Sequence, residues 1–134
     1  LDIFGFEQFD INSLEQLCIN LANEQLHAFF NDHIFAAERT AYTEEGIDAV
    51  EVGFEDNSAV LALLLGRPIG ILSLLDEESK LNNANVSTLL TKLDENLTPR
   101  KRAASGASAL FSTRGGREFT VGCTHLPPPH ICVC

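Results

Sequence analysis

The sequence predicts a mainly α chain, with one long helix, several short helices, one or two short strands and a disordered C-terminal tail. Three observations carry this reading. Apolar residues recur at helical spacing from Leu14 to Ile34, and neither proline nor glycine interrupts before Gly46. Short apolar runs between Ala59 and Leu97 are bounded by cap, glycine and polar-loop residues. From Thr98 onward the texture changes to Ala, Ser, Gly and Arg, followed by Pro127-Pro128-Pro129 and a cysteine-ended stub.

The elements run in this order. LDIFGFE, residues 1–7, reads as the end of a buried strand running into a turn that carries Asp2, Gly5 and Glu7. A glycine there lets a backbone N–H approach an anion closely, and a carboxylate holds magnesium directly or through water. Taken alone, Asp-x-x-Gly-x-Glu more often makes a solvated turn. Ser13 with Gln16, or Asn12 with Glu15, forms a capping box that starts the long helix. Leu14, Leu17, Cys18, Leu21, Ala22, Leu26, Phe29, Phe30 and Ile34 mark its apolar side, on which Cys18 is expected as a buried inert thiol. From Ser13 to Tyr42 the helix would run about 45 Å, more than a small core is wide, so it belongs to a larger body or pairs with another helix. No strict heptad is sustained, which excludes a coiled-coil arm. Alternation at Val50, Val52 and Phe54 suggests a short strand or extended loop. Asp56, Asn57 or Ser58 caps a helix from Ala59 to Leu65 that stops at Gly66, with Pro68 beyond. Ile71, Leu72, Leu74 and Leu75 begin a helix that turns acidic at Asp76-Glu77-Glu78; a polar loop at Asn82-Asn83 follows, and Leu89, Leu90, Leu93 and Leu97 mark one more helix.

The 134 residues carry a net charge of −10, unevenly placed: residues 1–97 hold 18 acidic and 4 basic side chains, residues 98–134 hold 1 and 5. An acidic body argues against nucleic acid, and Pro99-Arg100-Lys101-Arg102 reads as a solvated basic linker. No apolar stretch reaches the roughly 20 residues that span a bilayer. One cysteine in the body suits a reduced compartment. Cys123, His125, His130, Cys132 and Cys134 have metal-ligand chemistry, but their C-x-H and H-x-C-x-C spacings do not match structural zinc patterns, so an adventitious tail is expected. A start at Leu1 inside a strand-to-loop transition, with no methionine, reads as a fragment of something larger.

LDIFGFEQFDINSLEQLCINLANEQLHAFFNDHIF resembles the switch II loop and relay helix of the myosin motor domain almost residue for residue, and GILSLLDEES matches the same family. The resemblance covers Leu1 to Leu97 as a partial motor domain and leaves 98–134 unmatched, although Glu118-Phe119-Thr120-Val121 is briefly similar to a family strand. It implies that the chain is a piece of an α/β, P-loop NTPase-type motor domain whose sheet strands come mostly from elsewhere. It also implies a function: an actin-based cytoskeletal motor coupling ATP hydrolysis to movement, with ATP and magnesium as cofactors.

On this resemblance Asp2 stands near magnesium through water and lines the nucleotide site, the Gly5 N–H binds the γ-phosphate, and Glu7 pairs with a switch I arginine and positions the lytic water. Phe29 and Phe30 fall where the relay helix kinks. Ile47 and Ala49 lie in the relay loop, where Glu45-Gly46-Ile47-Asp48-Ala49 departs from the family's E-x-I-x-W by lacking the tryptophan. Glu77, Glu78, Ser79, Lys80, Leu81, Asn82, Asn83 and Ala84 form the tip of the lower-domain helix-loop-helix that docks on actin, without the family's aromatic-proline turn. The implied partners are actin filaments, the rest of the heavy chain and its light chains, in the cytoplasmic actin cytoskeleton. The chain has no G-x-x-x-x-G-K-[ST] pattern and no switch I, so by itself it is not expected to hydrolyse ATP, and its partnerless apolar faces make it marginal alone. The alternative is a non-enzymatic actin-binding or degenerate myosin fragment.

Overall fold

In the computed structural model, which describes residues 5–46, 56–98, 110–114, 118–122 and 132–133, the long helix starts where the cap residues place it. The Ser13 hydroxyl accepts the Glu15 N–H at 3.2 Å, and the Gln16 side chain accepts the Ser13 N–H at 2.8 Å, completing the capping box. Helix α1 spans Leu14–Phe30, a π-helical turn follows over Asn31–Phe35, and α2 continues over Ala36–Glu44. Gly46 closes the run at φ +69°, a left-handed C-terminal cap that glycine adopts without strain. The expected helix is therefore present, with one wider turn inserted directly after Phe29 and Phe30.

The buried arc of α1 is Leu17, Asn20, Leu21 and Glu24, which faces α3. Leu14, Phe29, Phe30 and Ile34 are exposed. Cys18 is exposed too, which corrects the expectation of a buried thiol. The covered arc is narrow, and Cys18, about 100° around the helix from Leu17, falls outside it.

Helix α3, Ser58–Leu65, buries Val60, Leu63 and Leu64 and ends at Gly66, as its apolar run and glycine stop dictate. The turn back is tight: a Cβ on Gly70 would lie 2.5 Å from the Gly66 carbonyl oxygen and 2.6 Å from its nitrogen, so only glycine fits there. Helix α4, Ile71–Ser79, then buries Ile71, Leu74 and Glu78, and α5, Val86–Leu97, packs on it and buries Leu93 and Leu97. Asn85 starts α5 with its own capping box to Thr88.

Beyond α5 lies antiparallel pairing, of which the sequence reading foresees only the similarity of Glu118–Val121 to a family strand. Strand β1, Phe111–Arg114, pairs with β2, Glu118–Val121, and β2 pairs with β3, Cys132–Val133, in the order β1-β2-β3. Phe111 opposes Val121 and Thr113 opposes Phe119. These described residues correct the reading of 98–134 as wholly disordered and place three short strands there. The physical reason is the apolar set hidden in that Ala/Ser/Gly texture: Phe111, Phe119 and Val121 are buried, the two rings 5.8 Å apart, in one core with Leu93, Leu97, Ile71, Leu63, Leu17 and Leu21. The Val50–Phe54 strand lies outside the described residues.

Candidate functional site

The entry loop to α1 is organised by two asparagines. Asn12 accepts the Phe9 N–H at 2.8 Å and donates to the Phe9 carbonyl at 2.8 Å. Asn20, nearly two turns inside α1, does the same at longer range: its Oδ1 accepts the Glu7 N–H at 2.8 Å and its Nδ2 donates to the Glu7 carbonyl at 2.7 Å. Each amide occupies both polar groups of one residue, as a neighbouring β-strand would. Asn20 is 1% exposed, so these bonds run with little competition from water. The residue 5–13 loop is thereby fixed to the helix at Glu7, and Gln16 Nε2 donates to the Glu7 carboxylate at 3.3 Å.

Gly5 is exposed, and a Cβ built on it would meet nothing within 4 Å. Packing within the described residues does not require glycine at that position. Asp2 lies outside the described residues. Among those described, no group of three or more His, Cys, Asp or Glu side chains is placed to hold a metal ion.

Of the residues expected to form the relay, Phe29 and Phe30 meet edge to face at 6.4 Å immediately before the π-helical turn, and Phe29 stacks on His33 at 4.0 Å. Both phenylalanines are exposed. A π turn inserts a residue into the helical ladder and re-aims the helix beyond it. Ile47 and Ala49 lie outside the described residues, as do Cys123, His125, His130 and Cys134; Cys132 is in β3.

The tip of the α4–α5 hairpin presents Glu77, Ser79, Lys80, Leu81, Asn82, Asn83 and Ala84 to solvent. Glu78 points inward and is 5% exposed. Its carboxylate takes a 2.8 Å ion pair from Lys92 and a hydrogen bond from the Thr88 hydroxyl, joining α4 to the first two turns of α5. The Lys92 bond, then the Thr88 bond, hold the Glu78 carboxyl below its usual range against the opposing effect of burial; the same Glu78 bond chiefly raises Lys92. Lys92 also reaches Glu77 at 3.2 Å, and Lys80 pairs with Asp76 at 2.6 Å on the exposed face. Asn20, Glu24, Asn57, Thr88 and Lys92 were not among the expected site residues. The available signal was a polar residue at helical spacing among buried leucines, as Asn20 sits between Leu17 and Leu21.

Comparison with known proteins places this geometry. Residues 1–121 match the family described as myosin head (motor domain), a span that runs past Leu97 to the end of β2. Mouse myosin-IIIb is 54% identical over 97 residues, covering 72% of this chain and 7% of the relative. Myosin-1 of Arabidopsis thaliana is 46% identical over 121 residues, 90% of this chain and 10% of the relative. The myosin-I heavy chain of Dictyostelium discoideum is 52% identical over 96 residues, 72% of this chain and 4% of the relative. The chain thus spans a tenth or less of the length of these curated relatives. By sequence match and by coverage, the chain belongs to the myosin head (motor domain) family.

Proposed function

We propose that this chain is the portion of an actin-based motor head that senses the γ-phosphate of ATP and passes the state of that site to α1, while its α4–α5 hairpin faces actin. The observation that carries the proposal is the double hydrogen bond from Asn20 to the Glu7 peptide, which makes the loop and the helix one mechanical piece. In this reading the Gly5 N–H donates to a γ-phosphate oxygen, and the open space around its Cα is what close approach of a phosphate uses. The Glu7 carboxylate orients the attacking water. Phosphoryl transfer asks little covalent chemistry of the protein, so orientation and charge stabilisation are the contributions required of these groups. Movement of the loop toward phosphate pulls on Asn20, and the π turn beyond Phe30 re-aims α2. The P-loop, switch I and the magnesium site come from the rest of the head.

The hairpin reading rests on the seven exposed tip residues, with Glu78, Thr88 and Lys92 setting the tip's shape from within. A second reading, actin binding without motor activity, is favoured by Glu45-Gly46-Ile47-Asp48-Ala49, which lacks the large aromatic surface for coupling to a distal lever.

The test is Gly5→Ala in a complete head containing these residues. The substitution meets no steric conflict within the described chain, so loss of magnesium-dependent ATP turnover with nucleotide binding retained supports phosphate sensing. Unchanged turnover contradicts it. Actin co-sedimentation insensitive to ATP, with no turnover in the unsubstituted head, selects the second reading. Turnover by the 134-residue chain alone contradicts the assignment of the P-loop and switch I to other residues.

A further inference from the structure

Asn57 breaks a local rule. It occupies the N-cap of α3, where asparagine ordinarily accepts a backbone N–H of the first turn, yet its side chain makes no capping bond. Asp56 does that work instead, its carboxylate accepting the Ser58 N–H at 2.8 Å. The Asn57 amide is turned into the interior. Its Nδ2 donates to the Glu24 carboxylate at 2.6 Å and to the Glu24 backbone carbonyl at 2.8 Å, across 33 residues of sequence. Glu24 is 0% exposed and Asn57 3%. Burying an acid is costly unless donors meet it, so this contact fixes the angular setting of α1 on α3 more sharply than the leucines around it. Glu24 is one helical turn from Asn20, on the same face, so the bond to the loop and the bond to α3 lie about 6 Å apart along α1. From α3 the path to the hairpin is stiff: the Gly66–Gly70 close approach and the 3.0 Å bond from Ser73 to the Gly66 carbonyl hold α4 against α3, and Glu78 with Lys92 holds α5 against α4.

We infer that Asn57 is a positioning residue: through Glu24 it locks α1 to α3, so that the phosphate-sensing loop and the actin-facing hairpin turn as one body and actin binding is felt at the nucleotide site. The inference rests on the functional reading above for its consequence, and on the Glu24–Asn57 contact for its cause.

The experiment uses a complete head containing this chain in four forms: unsubstituted, N57D, E24Q and E24Q/N57D. Local helix propensity favours N57D, since aspartate caps α3 at least as well as asparagine. The latch gives the opposite sign, because N57D sets two carboxylates against each other in the core. The double variant restores a donor, the introduced glutamine amide facing the introduced carboxylate. ATP turnover is measured over an actin series to separate kcat from the actin KM. N57D is expected to lower actin-activated kcat by about tenfold while turnover without actin stays within about twofold, and E24Q/N57D to recover most of the loss. Full actin activation in N57D, equal loss of basal and activated turnover, or a double variant no better than N57D overturns the inference. If the unsubstituted head shows no actin activation, the functional reading has failed and the proposed consequence of the latch is overturned with it. The four melting temperatures then decide the contact alone: N57D lowest with recovery in the double variant supports it, and no recovery refutes it.

Discussion

Replacing Asn20 with alanine removes both bonds to Glu7 at once. The amide accepts the Glu7 N–H at 2.8 Å and donates to its carbonyl at 2.7 Å, and Asn20 itself is 1% exposed. A net contribution of about 1 kcal/mol for each bond, with the penalty of a buried gap where the side chain stood, gives a local loss of about 2 to 3 kcal/mol. Only partial recovery from water is available, because Glu7 is half-buried. The loss is local, since α1 keeps its capping box and its leucines, so it is read best by amide hydrogen exchange in the residue 5–13 segment. Exchange at Glu7 is expected to speed up by roughly 30- to 150-fold, with little change in α3 or α5. Asn20→Asp discriminates the cause. It keeps the shape and the acceptor for the Glu7 N–H, but sets a carboxylate oxygen against the Glu7 carbonyl, and is expected to be at least as damaging as alanine. Unchanged protection at Glu7 in both variants would refute the clamp.

The hairpin has a pH signature. The folded Glu78 carboxyl titrates below its usual range, so its contribution is present above the unfolded value and is lost as pH falls through the lowered one; folded Lys92 titrates above its usual range, so its contribution is complete below the unfolded value and is lost as pH rises through the raised one. Urea midpoints across pH should therefore form a plateau between the ordinary carboxylate and lysine ranges, and Lys92→Met should lower the plateau and shrink both limbs; a pH profile identical to that of the unsubstituted chain contradicts the pairing. Gly70→Ala places a methyl 2.5 Å from the Gly66 carbonyl oxygen and 2.6 Å from its nitrogen, and is expected to cost about 1 to 3 kcal/mol, seen as a urea midpoint lower by about 1 M; an unchanged midpoint contradicts the close approach.

Local signals in the sequence read well. The capping box at Ser13 and Gln16, the stop at Gly66 and the polar tip around Asn82 and Asn83 each involve residues within four positions of each other, and each appears in the structure. The features that were not legible depend on partners far along the chain. Asn20 and Glu24 look like interruptions of an apolar face until Glu7 and Asn57, 13 and 33 residues away, occupy them. Cys18 was misplaced for the related reason that the width of a buried arc is set by the neighbouring helix. The π turn over Asn31–Phe35 has no composition of its own, because widening one turn needs no special residue type. In β1 and β2, three buried side chains alternate with Ser, Thr and charged residues beside a stretch rich in glycine, serine and alanine, so average composition hid a pairing that Phe119-Thr120-Val121 announces by alternation. For the turn proposed to sense phosphate, Gly5 and Glu7 come from the family resemblance alone, whereas the bonds that tie Glu7 to α1 come from the structure.

The central claim is that the Glu7 loop and α1 move as one piece through Asn20. Its most direct measurement is single-turnover ATP cleavage by a complete head carrying Asn20→Ala beside the unsubstituted head. With the clamp removed, ATP should bind at an unchanged rate while the cleavage step slows by about tenfold or more, because loop closure no longer carries the helix with it. Cleavage at the unsubstituted rate, with exchange at Glu7 accelerated, would show that the clamp exists and that the motor does not use it.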